Sequence, residues 1–104
     1  MWKVDYWTTG TGKSPVEKWL DKLTIEQFKK VAELLEILAE MGNELKLPRS
    51  KPLGKGLFEL RERQFEYRIY YCFLGKRLII LLAAGDKSSQ EHDIATARKR
   101  LGSK

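Results

Sequence analysis

Residues 58–71 read FELRERQFEYRIYY, and apolar and polar side chains alternate through this stretch as they do in two strands joined by a short turn. Side chains two apart share a strand face, so Arg61 and Arg63 point together with Glu59, while Phe58, Leu60 and Glu62 point the other way. Beyond the turn, Tyr67, Ile69, Tyr71 and Phe73 oppose Glu66, Arg68, Tyr70 and Cys72. If the turn pairs these strands, Arg61, Arg63, Arg68 and Tyr70 fall on one patch, which Lys87 reaches from the end of the next strand. Like charges opposed across a sheet cost about 0.2 to 1 kcal/mol, and surface ion pairs with Glu59, Glu62 and Glu66 offset only about 0 to 1 kcal/mol each. A cluster of cations kept against its own repulsion reads as a site awaiting phosphate.

Upstream lies NELKLPRSKPLGKG, residues 43–56, with Pro, Gly and four basic side chains. It reads as a long loop of the kind that is often functional, and Lys46, Arg49, Lys51 and Lys55 give it a basic surface suited to a polyanion. Downstream, RLIILLAA (77–84) is apolar on both faces, as a central strand covered on each side would be. GDKSS ends the sheet, Ser88 and Glu91 have capping-box spacing, and Ile94, Ala97 and Leu101 form the inner face of a last helix. At the other end WKVDYWTT alternates as a first strand. Ser14-Pro15 opens a short helix with Val16, Trp19, Leu20 and Leu23 on one face. Thr24 and Gln27 form a capping box for a second helix carrying Phe28, Val31, Leu35 and Leu38, and Gly42 closes it. Leu34, Ile37 and Met41 widen its apolar arc. The order is β-α-α-β-β-β-α, which predicts an α+β fold of two layers: a mainly antiparallel four-stranded sheet with its helices on one face.

A length of 104 residues suits one domain, 1–104, and 42% hydrophobic with 33% charged residues is the balance of a globular chain. The formal charge of +6 is unevenly placed: residues 1–43 hold six Lys and seven acids, residues 44–104 fourteen Lys or Arg and seven acids. A polyanionic partner for the second half is the expectation. Cys72, the single cysteine, cannot form an internal disulfide, and neither a secretory segment nor a run of eighteen apolar residues is present, so a cytoplasmic setting is expected. One Cys, one His and scattered acids offer no metal-ligand spacing, and no cofactor motif is complete; GTGK at 10–13 lacks the rest of a phosphate loop.

Four segments in order resemble the RelE/ParE superfamily of type II toxins, close to its HigB-like and addiction-module killer families: TTGTGKSPVEKWLDKL (8–23), SKPLGKGLFELR (50–61), YRIYY (67–71) and GDKSSQEHDIATARK (85–99). The resemblance implies a microbial-RNase-like sheet and a toxin that cleaves mRNA in the ribosomal A site. It also implies a cognate helix-turn-helix antitoxin, with operator DNA met only through the antitoxin complex. Arg61 and Arg63 match basic positions of the family's second strand, Arg68 the arginine of its YR motif, and Lys87 the basic residue after its last strand. The same superfamily includes ParE-like inhibitors of DNA gyrase and would accommodate a non-catalytic member acting only through antitoxin or operator binding, both of which stay open.

Metal-free RNA cleavage proceeds by attack of a 2′-hydroxyl on phosphorus and needs cations for the developing charge together with an acid and a base. On the reading that the resemblance implies, Arg61, Arg68 and Lys87 are the expected stabilising cations, and Arg63 with Lys46, Arg49, Lys51 and Lys55 of the 43–56 loop the expected grip on RNA. Arginine cannot be the base, which leaves Glu59, Glu66, Tyr70, His92 and Asp93. Tyr70 is expected as a proton donor or a stacking platform, and His92 is the natural acid or base by chemistry, set in the first turn of the last helix.

Overall fold

Strands β1 (Lys3–Tyr6), β2 (Ser50–Gly54), β3 (Leu57–Glu62), β4 (Tyr67–Leu74) and β5 (Leu78–Asp86) form one sheet in the order β1-β5-β4-β3-β2. Helices α1 (Pro15–Asp21), α2 (Ile25–Met41) and α3 (Gln90–Leu101) complete the chain. The structure, a computed structural model, describes residues 1–103. β1 runs parallel to β5 and the other three pairings are antiparallel.

Two features depart from the sequence reading. The sheet has five strands rather than four, because Ser50–Gly54, expected within a loop, pairs with β3 as an edge strand. Pro52 is tolerated there because one side of an edge strand needs no ladder donor. The helices also do not share a face. α1 and α2 cover one side, where Val16, Leu20, Val31, Leu34 and Leu38 meet Leu60, Ile69, Tyr71, Ile79 and Leu81. α3 covers the other through Ala97, Ile94 and Leu101, against Leu57, Tyr70, Cys72, Ile80 and Leu82. The expected two-layer, one-faced arrangement is therefore a three-layer one, as β5, apolar on both faces, requires.

The second core is shaped by a bulge in β5. Tyr70 is opposite Ala83 and Tyr71 opposite Leu81, so Leu82 has no partner in the ladder. Arg100 lies over the Trp7 ring at 4.8 Å and donates to the Leu82 carbonyl at 2.7 Å. Arg98 donates to the carbonyls of Leu53 and Gly54 at 2.7 and 2.8 Å, tying α3 to the β2–β3 turn. The basic end of α3 is thereby engaged with the protein's own backbone.

Local signals behave unevenly. The Thr24–Gln27 capping box forms, with Gln27 N–H donating to Thr24 Oγ1 at 3.2 Å and Thr24 N–H to Gln27 Oε1 at 2.9 Å. Ser14 precedes α1 without a side-chain cap. The Ser88–Glu91 box does not form: Ser88 turns back to Asp86, and a 3₁₀ turn (Lys87–Ser89) precedes α3. Gly42 ends α2 at φ 52°, ψ −124°, a conformation open to glycine alone. A Cβ there would run into the Trp2 indole. Gly42→Ala is expected to destabilise the fold by about 2 kcal/mol through backbone strain and displacement of the indole, read as a lower urea midpoint at unchanged m-value.

Candidate nucleic-acid site

The β3–β4 pairing decides what the arginines can do together. Arg61 is directly opposite Arg68, and Arg68 in turn opposite Gly85 of β5, so the two guanidinium groups leave the sheet on the α3 face beside a position with no side chain. That position has to be glycine, since a Cβ on Gly85 would run into Asp93 and Ser89 of α3. Glu59 lies next along the same face, opposite Tyr70, and is fully buried.

Glu59 explains how two arginines tolerate each other. Arg61 Nε donates to Glu59 Oε1 at 2.9 Å, Gln90 Nε2 donates to Oε2 at 2.9 Å, and Arg68 Nε stands 3.5 Å from Oε2. A carboxylate out of water is costly unless charge and hydrogen bonds compensate it, and here both oxygens are engaged. The ion pairs expected at the surface are thus replaced at Glu59 by a buried one. Arg68 Nε, itself buried, makes no hydrogen bond among the described residues. The terminal nitrogens of Arg61 and Arg68 likewise bond to no protein acceptor among them.

Past Glu59 the face opens into a cleft of about 350 Å³ lined by Arg61, Glu62, Arg63, Glu66 and Arg68. Glu62 is spoken for: its oxygens accept the backbone N–H groups of Gln64 and Phe65, both at 2.8 Å, closing the β3–β4 turn. Glu66 is exposed and 3.9 Å from Lys87 Nζ, which places Lys87 at the mouth. The cleft wall therefore carries three arginines against one carboxylate not held by backbone.

The other sequence-derived positions separate from this cluster. Tyr70 is wholly buried beneath α3 and presents no ring face to a base. Its hydroxyl lies beside the Glu59 carboxylate. Burial first, then the Glu59 carboxylate, hold its ionisation well above the ordinary tyrosine range. His92 is exposed and lines a different depression with Pro15, Trp19 and Arg100. Asp93 accepts from Ser89 Oγ at 2.5 Å. Among the basic residues of 43–56, Arg49 is joined to the site, its carbonyl accepting Arg61 N–H at 2.8 Å. Lys51 pairs with Glu59 across the β2–β3 edge. Lys46 borders an apolar pocket with Leu47, Phe58 and Phe73, and Lys55 occupies the β2–β3 turn. Gln90 was not singled out from the sequence. Its role follows only from the position of α3, which covers the Glu59 face and brings the Gln90 amide to the carboxylate. Among the described residues no three of His, Cys, Asp and Glu come together as a metal site.

Tyr70→Phe separates structure from chemistry. Both oxygens of the neighbouring Glu59 are already engaged by Arg61 and Gln90, so removing the Tyr70 hydroxyl is expected to change stability by no more than about 1 kcal/mol at neutral pH. Burial also raises Tyr71, so above about pH 10 the unfolded chain releases phenolic protons that the native one keeps. Stability is then lost as pH rises. Urea midpoints at pH 8 and 11 should show a smaller loss in Tyr70→Phe than in the wild type.

Residues 18–102 match the family described as Phage derived protein Gp49-like (DUF891). No curated protein sequence matches. Among solved structures, the isolated E. coli RelE toxin in a P21 crystal form superposes with a TM-score of 0.62 at 16% identity, over 94% of this chain and 98% of that one. An E. coli RelE variant with two arginines changed to alanine, in the free state, superposes with a TM-score of 0.68 at 15% identity, over 95% and 96%. A five-stranded mixed sheet with three helices, matched nearly end to end, and a family match over most of the chain agree: this chain belongs to the Phage derived protein Gp49-like family and has the fold of the RelE toxins.

Proposed function

We propose that the protein is the toxin of a toxin–antitoxin pair and acts as an endoribonuclease on mRNA in the ribosomal A site, restrained by a cognate helix-turn-helix antitoxin. The observation that carries this reading is the Arg61–Arg68 pair, opposed across two strands over a buried Glu59 and open to a cleft that Arg63 also lines. Two guanidinium groups with their outer nitrogens unspent fit the oxygens of a phosphodiester. As the 2′-oxygen attacks phosphorus, and the 5′-oxygen departs with a proton taken from solvent to leave a 2′,3′-cyclic phosphate, negative charge gathers on the equatorial oxygens. Arg61 meets it with its Nε already hydrogen-bonded to Glu59, and Arg68 meets it from an ion-pair position 3.5 Å from the same carboxylate. Glu66 is the carboxylate of the cleft wall whose oxygens no backbone N–H occupies, so it is the group available for the 2′-hydroxyl proton. Lys87 at the mouth adds positive potential to the path of the strand. Arg63 lines the same cleft, Arg49 lies on the far side of its Arg61–Arg63 wall, and Lys46, Lys51 and Lys55 extend the basic surface toward β2.

Primer extension on translated messages after controlled expression tests this reading. Codon-linked cuts are expected in the wild type and their loss in Arg61→Ala. Intact messages accompanied by double-strand DNA breaks would replace it with gyrase inhibition.

A further inference from the structure

The end of β3 is a ridge with a hollow on each side. One is the arginine cleft. The other, about 190 Å³, lies between α2 and β3, floored by Leu34 and Ile37 and rimmed by Lys30, Glu33 and Arg49. The two hollows share Arg61, Glu62 and Arg63 as a common wall. Cations dominate the second hollow: Lys30, Arg49, Arg61 and Arg63 face Glu33 and Glu62, and the Glu62 carboxylate is already held by backbone N–H groups. Among the described residues, none of Lys30, Glu33, Arg49 and Arg63 enters an ion pair. An apolar floor inside a cationic rim suits a flat ring that carries a phosphate.

We infer that the α2 hollow is a nucleotide subsite, seating the base of the single-stranded RNA residue next to the phosphate held by Arg61 and Arg68. This rests on the RNA-binding reading of the arginine cleft and goes beyond it, since it brings α2, through Lys30, Leu34 and Ile37, into substrate recognition. The shared wall makes the two halves of the site act together: one nucleotide step carries the chain over β3, with phosphate on one flank and base on the other. A base packed on the aliphatic floor of Leu34 and Ile37 adds binding that an isolated phosphate cannot draw on.

The test uses the full chain, labelled at isoleucine methyls and arginine Nε, with two probes: inorganic phosphate and a 2′-O-methyl RNA trinucleotide, which lacks the attacking hydroxyl. Phosphate is expected to shift the Arg61 and Arg68 signals and leave the Ile37 methyl in place; the trinucleotide is expected to shift all three. Lys30→Glu, a change at an exposed helix position, should weaken the trinucleotide about tenfold with little effect on phosphate. Arginine signals that respond to the trinucleotide while Ile37 stays still would overturn the subsite and leave the proposed activity standing. Silence of Arg61 and Arg68 toward both probes would remove the activity and the subsite together.

Discussion

Arg68→Ala is expected to slow RNA cleavage about 100- to 1000-fold with the fold preserved, the loss typical of removing one preorganised contact to a developing oxyanion. Preservation follows from how Glu59 is held: without Arg68 it keeps its hydrogen bonds from Arg61 at 2.9 Å and Gln90 at 2.9 Å, whereas Arg68 is at 3.5 Å. The arginine therefore contributes less to the network than it leaves available for a ligand. Arg68→Lys sharpens the test. A lysine keeps the charge but not the planar fork, so a rate between wild type and alanine is expected. The measurement is single-turnover cleavage of a translated message with purified ribosomes. An alanine variant cutting within threefold of the wild type would show that Arg68 does not touch the transition state.

Glu59→Ala should be the most damaging change to stability, at about 3 kcal/mol. It leaves Arg61 and Arg68 directly opposite each other with no anion beneath them, and it strands the Gln90 amide. Arg61 and Arg68 retain 29% and 17% exposure, so water relieves part of the repulsion and the cost stays toward the low end for a broken buried pair. Urea denaturation reads it as a lower midpoint. A second readout isolates the electrostatic cause: added phosphate should stabilise Glu59→Ala more than the wild type, because it supplies the missing charge. Equal stabilisation of both proteins would mean that Glu59 matters for packing and not as the counterion of the pair.

The legible parts of this fold are those where one residue type in one period does the work. The β3–β4 hairpin, and with it the shared face of Arg61 and Arg68, follows from alternation alone. The Thr24–Gln27 box marked the start of α2 for the same reason. β2 was illegible because SKPLG has no alternation and contains Pro and Gly; its strand state comes from pairing with β3 and not from propensity. The placement of α3 was half legible. LIILLAA announces two covered faces, but a helix with only Ile94, Ala97 and Leu101 on its inner side does not say which face it takes. Glu59 reads as a surface acid between Phe58 and Leu60, and only the position of α3 turns it into a buried counterion. Clustering of the arginines was thus visible from strand period, while the means by which the protein tolerates it was not.

Leu82 is a supernumerary residue in an otherwise regular ladder. A homologue one residue shorter at this point would keep Ala83 and Gly85 in phase with Tyr70 and Arg68, and would have no stray carbonyl for Arg100 to satisfy. Strand length here and the arginine near the end of α3 should therefore be inherited as a linked pair. A basic tail in a relative with the shorter strand would be released from this structural duty and left to meet solvent or a partner.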